Sequence, residues 1–152
     1  MCVNGRVSTG PYTLRSPATE QEWASFHRIR RSVLFEKRGL MDVYDPNHPD
    51  DRKPTNHPML LLFDSRHVGV VRIDLVGDTA YLRRVAIDEP WQRNGHGRAL
   101  VALAESFAIE HGARRMESAV ASDAVGFYDK CGYIASPYRV PGDSVHMYKD
   151  LC

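Results

Sequence analysis

Cysteine is scarce in this 152-residue chain: Cys2, Cys131 and Cys152 are the 3 present. Their number and spacing support neither a disulfide framework nor a Cys-x-x-Cys metal site, so a reduced, cytoplasmic setting is expected. An excess of one charge is also missing, with 20 Lys and Arg against 19 Asp and Glu for a net +1. A dedicated nucleic-acid surface should be strongly basic, so this balance argues against a nucleic-acid partner. No apolar run approaches the roughly 18 residues of a membrane span, which argues against a membrane partner. The opening MCVNGRVSTG lacks the apolar centre of a secretory signal. Repeats and low-complexity segments are absent as well.

What remains is the composition of an ordinary globular chain, 43% hydrophobic and 26% charged. The length suits one domain over 1–152 with a core of useful size. Residues 12–14 make a short strand. Thr19-Glu20-Gln21-Glu22 has the form of a capping box, and Trp23, Phe26, Ile29 and Val33 then recur at helical spacing. Gly39 suits the end of that helix. Strand patterns occupy 59–63, 68–76 and 80–87, with turns at 65–67 and 77–78, which predicts an antiparallel meander. Beyond Pro90 the period becomes helical, with Leu100, Leu103, Ala104, Phe107 and Ala108 on one face and Gly112 at the end. A strand at 116–120, a helix over 123–131 capped by Ser122 and ended by Gly132, and a strand at 144–148 complete the order β-α-loop-β-β-β-α-β-α-β. This is a mixed α/β (α+β) domain.

The segment 41–58 holds four prolines, four aspartates and two histidines. A loop of that length is often functional. Asp42, Asp45, His48, Asp50, Asp51 and His57 are metal-ligand types, but their spacing matches no ligand pattern and no metal is expected. An acidic loop would attract a cationic amine, although Arg52 and Lys53 partly cancel its field.

Where strand gives way to helix stands Gln92-Arg93-Asn94-Gly95-His96-Gly97-Arg98-Ala99-Leu100. The free N–H groups and positive dipole of a helix start bind anions. Glycines there admit a bulky diphosphate, and Arg93 and Arg98 add charge-assisted contacts. A P-loop ending is absent, and Leu100 stands where a dinucleotide fingerprint needs Gly or Ala. Taken alone, a Gly-x-Gly is better read as a shaped loop that starts a helix.

This stretch, preceded by Leu82-Arg83-Arg84-Val85-Ala86-Ile87-Asp88-Glu89-Pro90, resembles the Gln/Arg-x-x-Gly-x-Gly/Ala signature of the GNAT superfamily of acyl-CoA N-acyltransferases. Downstream, Ala124-Val125-Gly126-Phe127-Tyr128-Asp129-Lys130-Cys131-Gly132-Tyr133 is similar to that family's A-x-x-F-Y-x-K-x-G-F/Y helix. The two are separated by one helix and one strand, as in the family, and the element order matches over about 11–150. The resemblance implies a mostly antiparallel central sheet of six to seven strands, splayed at the cofactor site and flanked by helices. It implies acetyl-CoA (coenzyme A) as co-substrate and a small-molecule or peptide amine as acceptor. Direct attack within a ternary complex is implied too, and a homodimer is common among relatives.

Carried onto this chain, the diphosphate site falls on Arg93, Asn94, Gly95, His96, Gly97 and Arg98, and the pantetheine-pairing strand on Val85, Ala86 and Ile87. Core packing of Val85 and Ile87 is compatible with that role. Tyr128 matches the tyrosine near the thioester sulfur, and a phenol with pKa about 10 suits a departing thiolate near 8.5. A partly buried structural aromatic is the plainer alternative. Two departures stand out. Ala121 replaces a common cofactor-contacting asparagine, and Tyr81, Arg83 and Arg84 stand where many relatives carry a basic glutamate. A base is still required, since an alkyl ammonium of pKa about 10.4 is only about one part in a thousand neutral at pH 7. Asp74, His57, Glu117 and a water relay are the candidates. An acyl-CoA-binding module without transfer, and an unrelated phosphate-binding α/β domain, are the competing readings.

Overall fold

The computed structural model describes residues 2–3, 5–36, 39, 44–137, 142 and 144–151. Asp42 and Cys152 lie outside them. Three strands open the chain, β1 (Cys2–Val3), β2 (Arg6–Thr9) and β3 (Tyr12–Arg15). Helix α1 (Glu20–Arg30) runs on into a π-helical turn, Arg31–Glu36, and a 3-10 turn at Pro49–Arg52 leads to the meander. The meander is β4 (Asn56–Phe63), β5 (Arg66–Val76) and β6 (Thr79–Ile87). After it come α2 (His96–Glu110), β7 (Arg115–Ala121), α3 (Val125–Lys130), β8 (Ile134–Ala135) and β9 (Ser144–Asp150).

All strands join one sheet in the order β1-β2-β3-β4-β5-β6-β7-β9-β8, antiparallel except for the parallel β6–β7 pair. Among the described residues nine strands stand where six to seven were expected. The unforeseen ones are β1, β2 and β8, which are too short or too polar to carry a strand pattern. Helix α3 is also shorter than expected, and Ser122 does not cap it: it lies in a separate 3-10 turn, Ser122–Ala124, with no side-chain cap bond.

Helices cover both faces of the sheet. Met59, Leu61, Val71, Ile73 and Leu82 pack with Leu100, Leu103, Ala104 and Phe107 of α2. Leu60, Leu62, Val70 and Ala86 pack with Phe26 and Ile29 of α1. Side chains alternate along a strand, so the unbroken apolar run of β4 follows from burial on both sides. The stripe on α1 is narrower than its periodicity implied. Trp23 is 37% exposed, while Arg30 is 3% exposed. At the start of α1 the Glu22 N–H donates to Thr19 Oγ1 at 3.1 Å, but the Glu22 carboxylate accepts from Ala18 N–H rather than closing the box on Thr19.

Two irregularities position the site. The β6–β7 pairing stops at Leu82↔Ser118, although β6 stays with β5 to Ile87 and β7 stays with β9 to Ala121. Beyond that pair the sheet is forked. On its other edge β6 carries a bulge, because Val70 faces Ala86 whereas Arg72 faces Arg83. Two residues, Arg84 and Val85, thus oppose Val71, and Arg84 adopts φ +57°. Such a bulge bends its strand, here where β6 leaves β7.

Candidate active site

The fork leaves main-chain groups of β6 facing a gap. Asp88 N–H donates to Val68 O at 2.9 Å, so by antiparallel alternation Ala86 also turns its N–H and C=O toward β5. Val85 and Ile87 therefore face the fork. Ala86, expected to pair with pantetheine, reaches the gap only through these neighbours. The Ile87 carbonyl already accepts from Gln92 Nε2 at 2.8 Å. Asp88, 6% exposed, receives a two-pronged contact from Arg28 of α1 at 2.9 and 3.3 Å and accepts from Glu89 N–H. That clamp fixes the exit of β6 and with it the turn into α2.

The turn holds two left-handed residues, Arg93 at φ +67° and Gly95 at φ +84°. Gly95 is the N-cap of α2, and no side chain caps the helix. Ala99 N–H makes the first intrahelical bond, to Gly95 O at 3.2 Å. The amides of His96, Gly97 and Arg98 precede it, as the helix-start argument requires. A Cβ on Gly95 would meet nothing within 4 Å, leaving the approach to these amides open. Gly97 also has a packing purpose that was not expected, since a Cβ there would lie 3.2 Å from Phe127 Cε1 and Cζ. Its bare Cα admits the α3 aromatic ring. The His96 ring points inward, 5% exposed, with Nδ1 at 2.8 Å from Tyr12 Oη and with Phe63 and Trp91 edge-on. Only its amide is available to the turn. Asn94 Nδ2 donates to Gln92 O, and the Arg93 and Arg98 side chains are exposed.

Tyr128 sits at the apex of the fork, 6% exposed. Its hydroxyl bonds Ser118, whose Oγ–H donates to Leu82 O at 3.3 Å. The chain Tyr128–Ser118–Leu82 thus ends on the last residue pair before the strands part. Burial pushes the Tyr128 phenol up to about 12, opposed by the Ser118 bond. It remains protonated at all neutral pH values, as a hydrogen-bond donor must. Nearby, Tyr133 donates to Glu105 Oε2 at 2.8 Å, and Lys149 Nζ reaches Glu105 Oε1 and Cys131 O, each at 3.0 Å. This network ties α2, α3 and β9 together behind Tyr128. Burial raises the Cys131 thiol, which makes it a poor nucleophile.

The base candidates separate clearly. His57 shares strand parity with Met59 and Leu61, and its ring packs on Phe107 of α2 and on His111 just past that helix, away from the opposite face of the fork. Burial lowers its pKa. Asp74 is gripped by Arg72 at 2.8 and 2.9 Å, which occupies both carboxylate oxygens. Glu117 alternates with the buried Met116 and Ser118, so it projects on the α1 side, beside Tyr81 across the parallel pair. Its Oε1 lies 2.6 Å from His146 Nε2 on β9. His146 faces Ala119, one residue beyond the fork. Sequence reasoning missed His146; its one signal was the alternation of Ser144–Asp150, which puts His146 and Tyr148 on a common face.

The loop does not present the acidic surface expected of it. Asp50 pairs with Lys53 at 3.0 Å, and Asp51 is shared by the buried Arg30 at 2.8 Å and Arg72 at 3.2 Å. Asp45 accepts from Asn47 N–H. Among the described residues no group of three His, Cys, Asp or Glu is placed to hold a metal ion, and no helix is long and apolar enough to cross a membrane.

Comparison with known proteins agrees with this geometry. The model of the acetyltransferase (GNAT) family matches residues 19–133. The uncharacterised protein YyaT of Bacillus subtilis (strain 168) is 28% identical over 127 residues, 84% of this chain and 86% of that protein. An acyl-CoA N-acyltransferase from Pseudomonas aeruginosa superposes with a TM-score of 0.75 at 14% identity, covering 91% of this chain and 97% of its own. The PaiA N-acetyltransferase of Thermoplasma acidophilum, solved in complex with coenzyme A, gives 0.70 at 15% identity, covering 91% and 98%. At those identities the structures speak for the fold, whereas the family model spans well over half of the sequence. The chain belongs to the GNAT acetyltransferase family.

Proposed function

We propose that the protein transfers an acetyl or other short acyl group from its CoA thioester to a primary amine, by direct attack in a ternary complex. The observation that carries this reading is the fork between β6 and β7, opening directly onto the uncapped start of α2. Amides of His96, Gly97 and Arg98 suit a diphosphate, with Arg93 and Arg98 alongside. Main-chain groups of Val85 and Ile87 suit the amides of a pantetheine arm lying in the gap. The coenzyme A bound to the Thermoplasma relative supports this choice of donor.

The proton balance assigns two roles. An ammonium that becomes an amide loses two protons in all. The amine nitrogen attacks the thioester carbon, the C–N bond forms and the C–S bond breaks. Tyr128 supplies the hydrogen bond and proton that the departing thiolate takes up, and is reprotonated through Ser118 or water. With a pKa near 12, it stabilises the thiolate chiefly as a donor and transfers the proton late. His146, held through Nε2 by Glu117, keeps Nδ1 to take the first proton from the ammonium and pass it to solvent. It then takes the second from the nitrogen as the C–N bond forms, which offsets the proton Tyr128 gives to the thiolate. Glu117 then orients the ring and stabilises the imidazolium.

A non-transferring acyl-CoA sensor finds support in Ala121 and in the lack of a carboxylate on β6. The Glu117–His146 pair weighs against it, because it supplies a base on the acceptor side. Thiol release from acetyl-CoA across a broad amine panel decides between them. Release that requires an amine supports transfer, and tight acetyl-CoA binding with no release from any amine supports the sensor.

A further inference from the structure

Beside the fork, on the α1 side of the sheet, lies an open cleft of about 780 Å³. Its charged lining is uneven: Lys53, Arg72, Arg83 and Arg84 against Asp50 and Asp74. The carboxylates are already occupied, Asp50 by Lys53 at 3.0 Å and Asp74 by two nitrogens of Arg72. Arg83 stands 3.6 Å from an Asp74 oxygen that Arg72 already holds, and its side chain is 43% exposed. Arg84 lies over the Phe35 ring, 5.0 Å from its centroid. The carboxylate near it is Asp51, which Arg30 and Arg72 share. Partial desolvation of the guanidinium and the neighbouring Arg30 and Arg72 lower the Arg84 pKa, with Asp51 opposing them. Behind it, Nε and Nη2 of the buried Arg30 have no hydrogen-bond partner among the described residues.

Two guanidinium groups thus face the cleft without a dedicated anion among the described residues, on the first two residues of β6 past the last β6–β7 pair. They belong to a different locality from the diphosphate turn. At about 3.3 Å per strand residue, Arg84 lies about 10 Å back from Ile87, on the approach to the apex. Tyr81 lines the same cleft and pairs across the parallel ladder with Glu117, the residue that holds the proposed base His146.

We infer that the acceptor is an amine bearing an anionic group, a carboxylate or a phosphate, which Arg83 and Arg84 hold while its amine reaches the fork. This rests on the transferase reading for the role of the amine, but the anion site itself is a property of the cleft. Guanidinium forks match both oxyanions. Polyamines would meet the surplus positive charge and be disfavoured.

The test is equilibrium binding to CoA-saturated protein, so that the donor site is already filled. Glycine, L-alanine, β-alanine and 4-aminobutyrate span different amine-to-carboxylate distances; L-alaninamide is the neutral match. Phosphoethanolamine against ethanolamine distinguishes phosphate from carboxylate, and spermidine is the polycation. At least one anionic ligand is expected to bind about tenfold or more tightly than its neutral match, from one charge-assisted contact. Arg83→Gln should abolish that preference without changing CoA affinity, and Arg84→Gln should do the same if its melting temperature shows that it folds. Equal affinities throughout, a preference for spermidine, or a preference that survives Arg83→Gln would overturn the inference. Turnover is measured separately on the same ligands. Anion-selective binding without any amide product would keep the anion site and sink the transferase reading, whereas spermidine acetylation without anion preference would do the reverse.

Discussion

Glu117 on β7 and His146 on β9 meet at 2.6 Å on the face of the sheet opposite the Tyr128–Ser118 contact. The fork between β6 and β7 therefore lies between a hydroxyl donor on one side and an imidazole on the other. A thioester lying in the gap would present its sulfur to the first and its carbonyl carbon to an amine arriving beside the second. Neither group lies on β6, where many relatives carry their base.

His146→Ala is expected to lower kcat by about a hundredfold while leaving the KM for acyl-CoA little changed. Added imidazole should restore part of the lost rate, because it replaces the base and not the fold. Glu117→Gln should cost less than His146→Ala, since it removes the orienting charge but keeps a hydrogen-bonding side chain. Steady-state kinetics with and without imidazole check both. Unchanged kcat in His146→Ala removes the assignment.

Tyr128→Phe removes the hydroxyl and keeps the ring. Turnover should fall by about tenfold or more, with acyl-CoA affinity nearly constant, because the hydroxyl acts on the departing thiolate rather than on the bound thioester. Donors with a more acidic leaving thiol should suffer less. A uniform loss across donors would mean a packing role for the phenol.

Gly97→Ala tests why that glycine is present. The added methyl would press on the Phe127 ring at 3.2 Å, and overpacking of this kind costs about 1–3 kcal/mol. Phe127→Leu should relieve part of that cost, so the double variant should be less destabilised than the sum of the two. Strict additivity in urea unfolding would contradict the contact. Gly95→Ala differs, since its cost arises from φ +84° and not from crowding.

Much of this was legible in the chain. The glycine turn, the helix carrying Phe127 and Tyr128, and the antiparallel meander all rest on local periodicity and short motifs. Even the exclusion of His57 was available, since it shares parity with Met59 and Leu61. The pairing of Glu117 with His146 was not, because only the β7–β9 register brings together residues 29 apart. The purpose of Gly97 was hidden for the same reason, as Phe127 belongs to another helix. The acidic loop misled because composition does not record partners. Asp51 is neutralised by Arg30 on α1 and Arg72 on β5, both 21 residues distant.

Acid should loosen the contact between β3 and α1. Arg15 holds the Glu22 carboxylate through two bonds of 2.6 and 2.7 Å, and with the Ala18 N–H it holds the Glu22 pKa down to about 2. A folded-state value below the ordinary 4.3 or so means that the stabilisation is present above about pH 4.3 and fades as pH falls toward about 2. Glu22→Gln should therefore be less stable than the parent near neutrality and converge with it in acid. Urea midpoints across that window check the sign. A constant difference at every pH would place the effect outside the ion pair.

The most direct test of the account is an amide-resolved NMR titration with acetyl-CoA. The central claim is that the donor occupies the fork and the start of α2. The largest shifts should fall on the amides of His96, Gly97 and Arg98 and on Val85 and Ile87, with those of β4 little affected. Saturation with no response at the α2 start, or a response centred elsewhere, would contradict the claim.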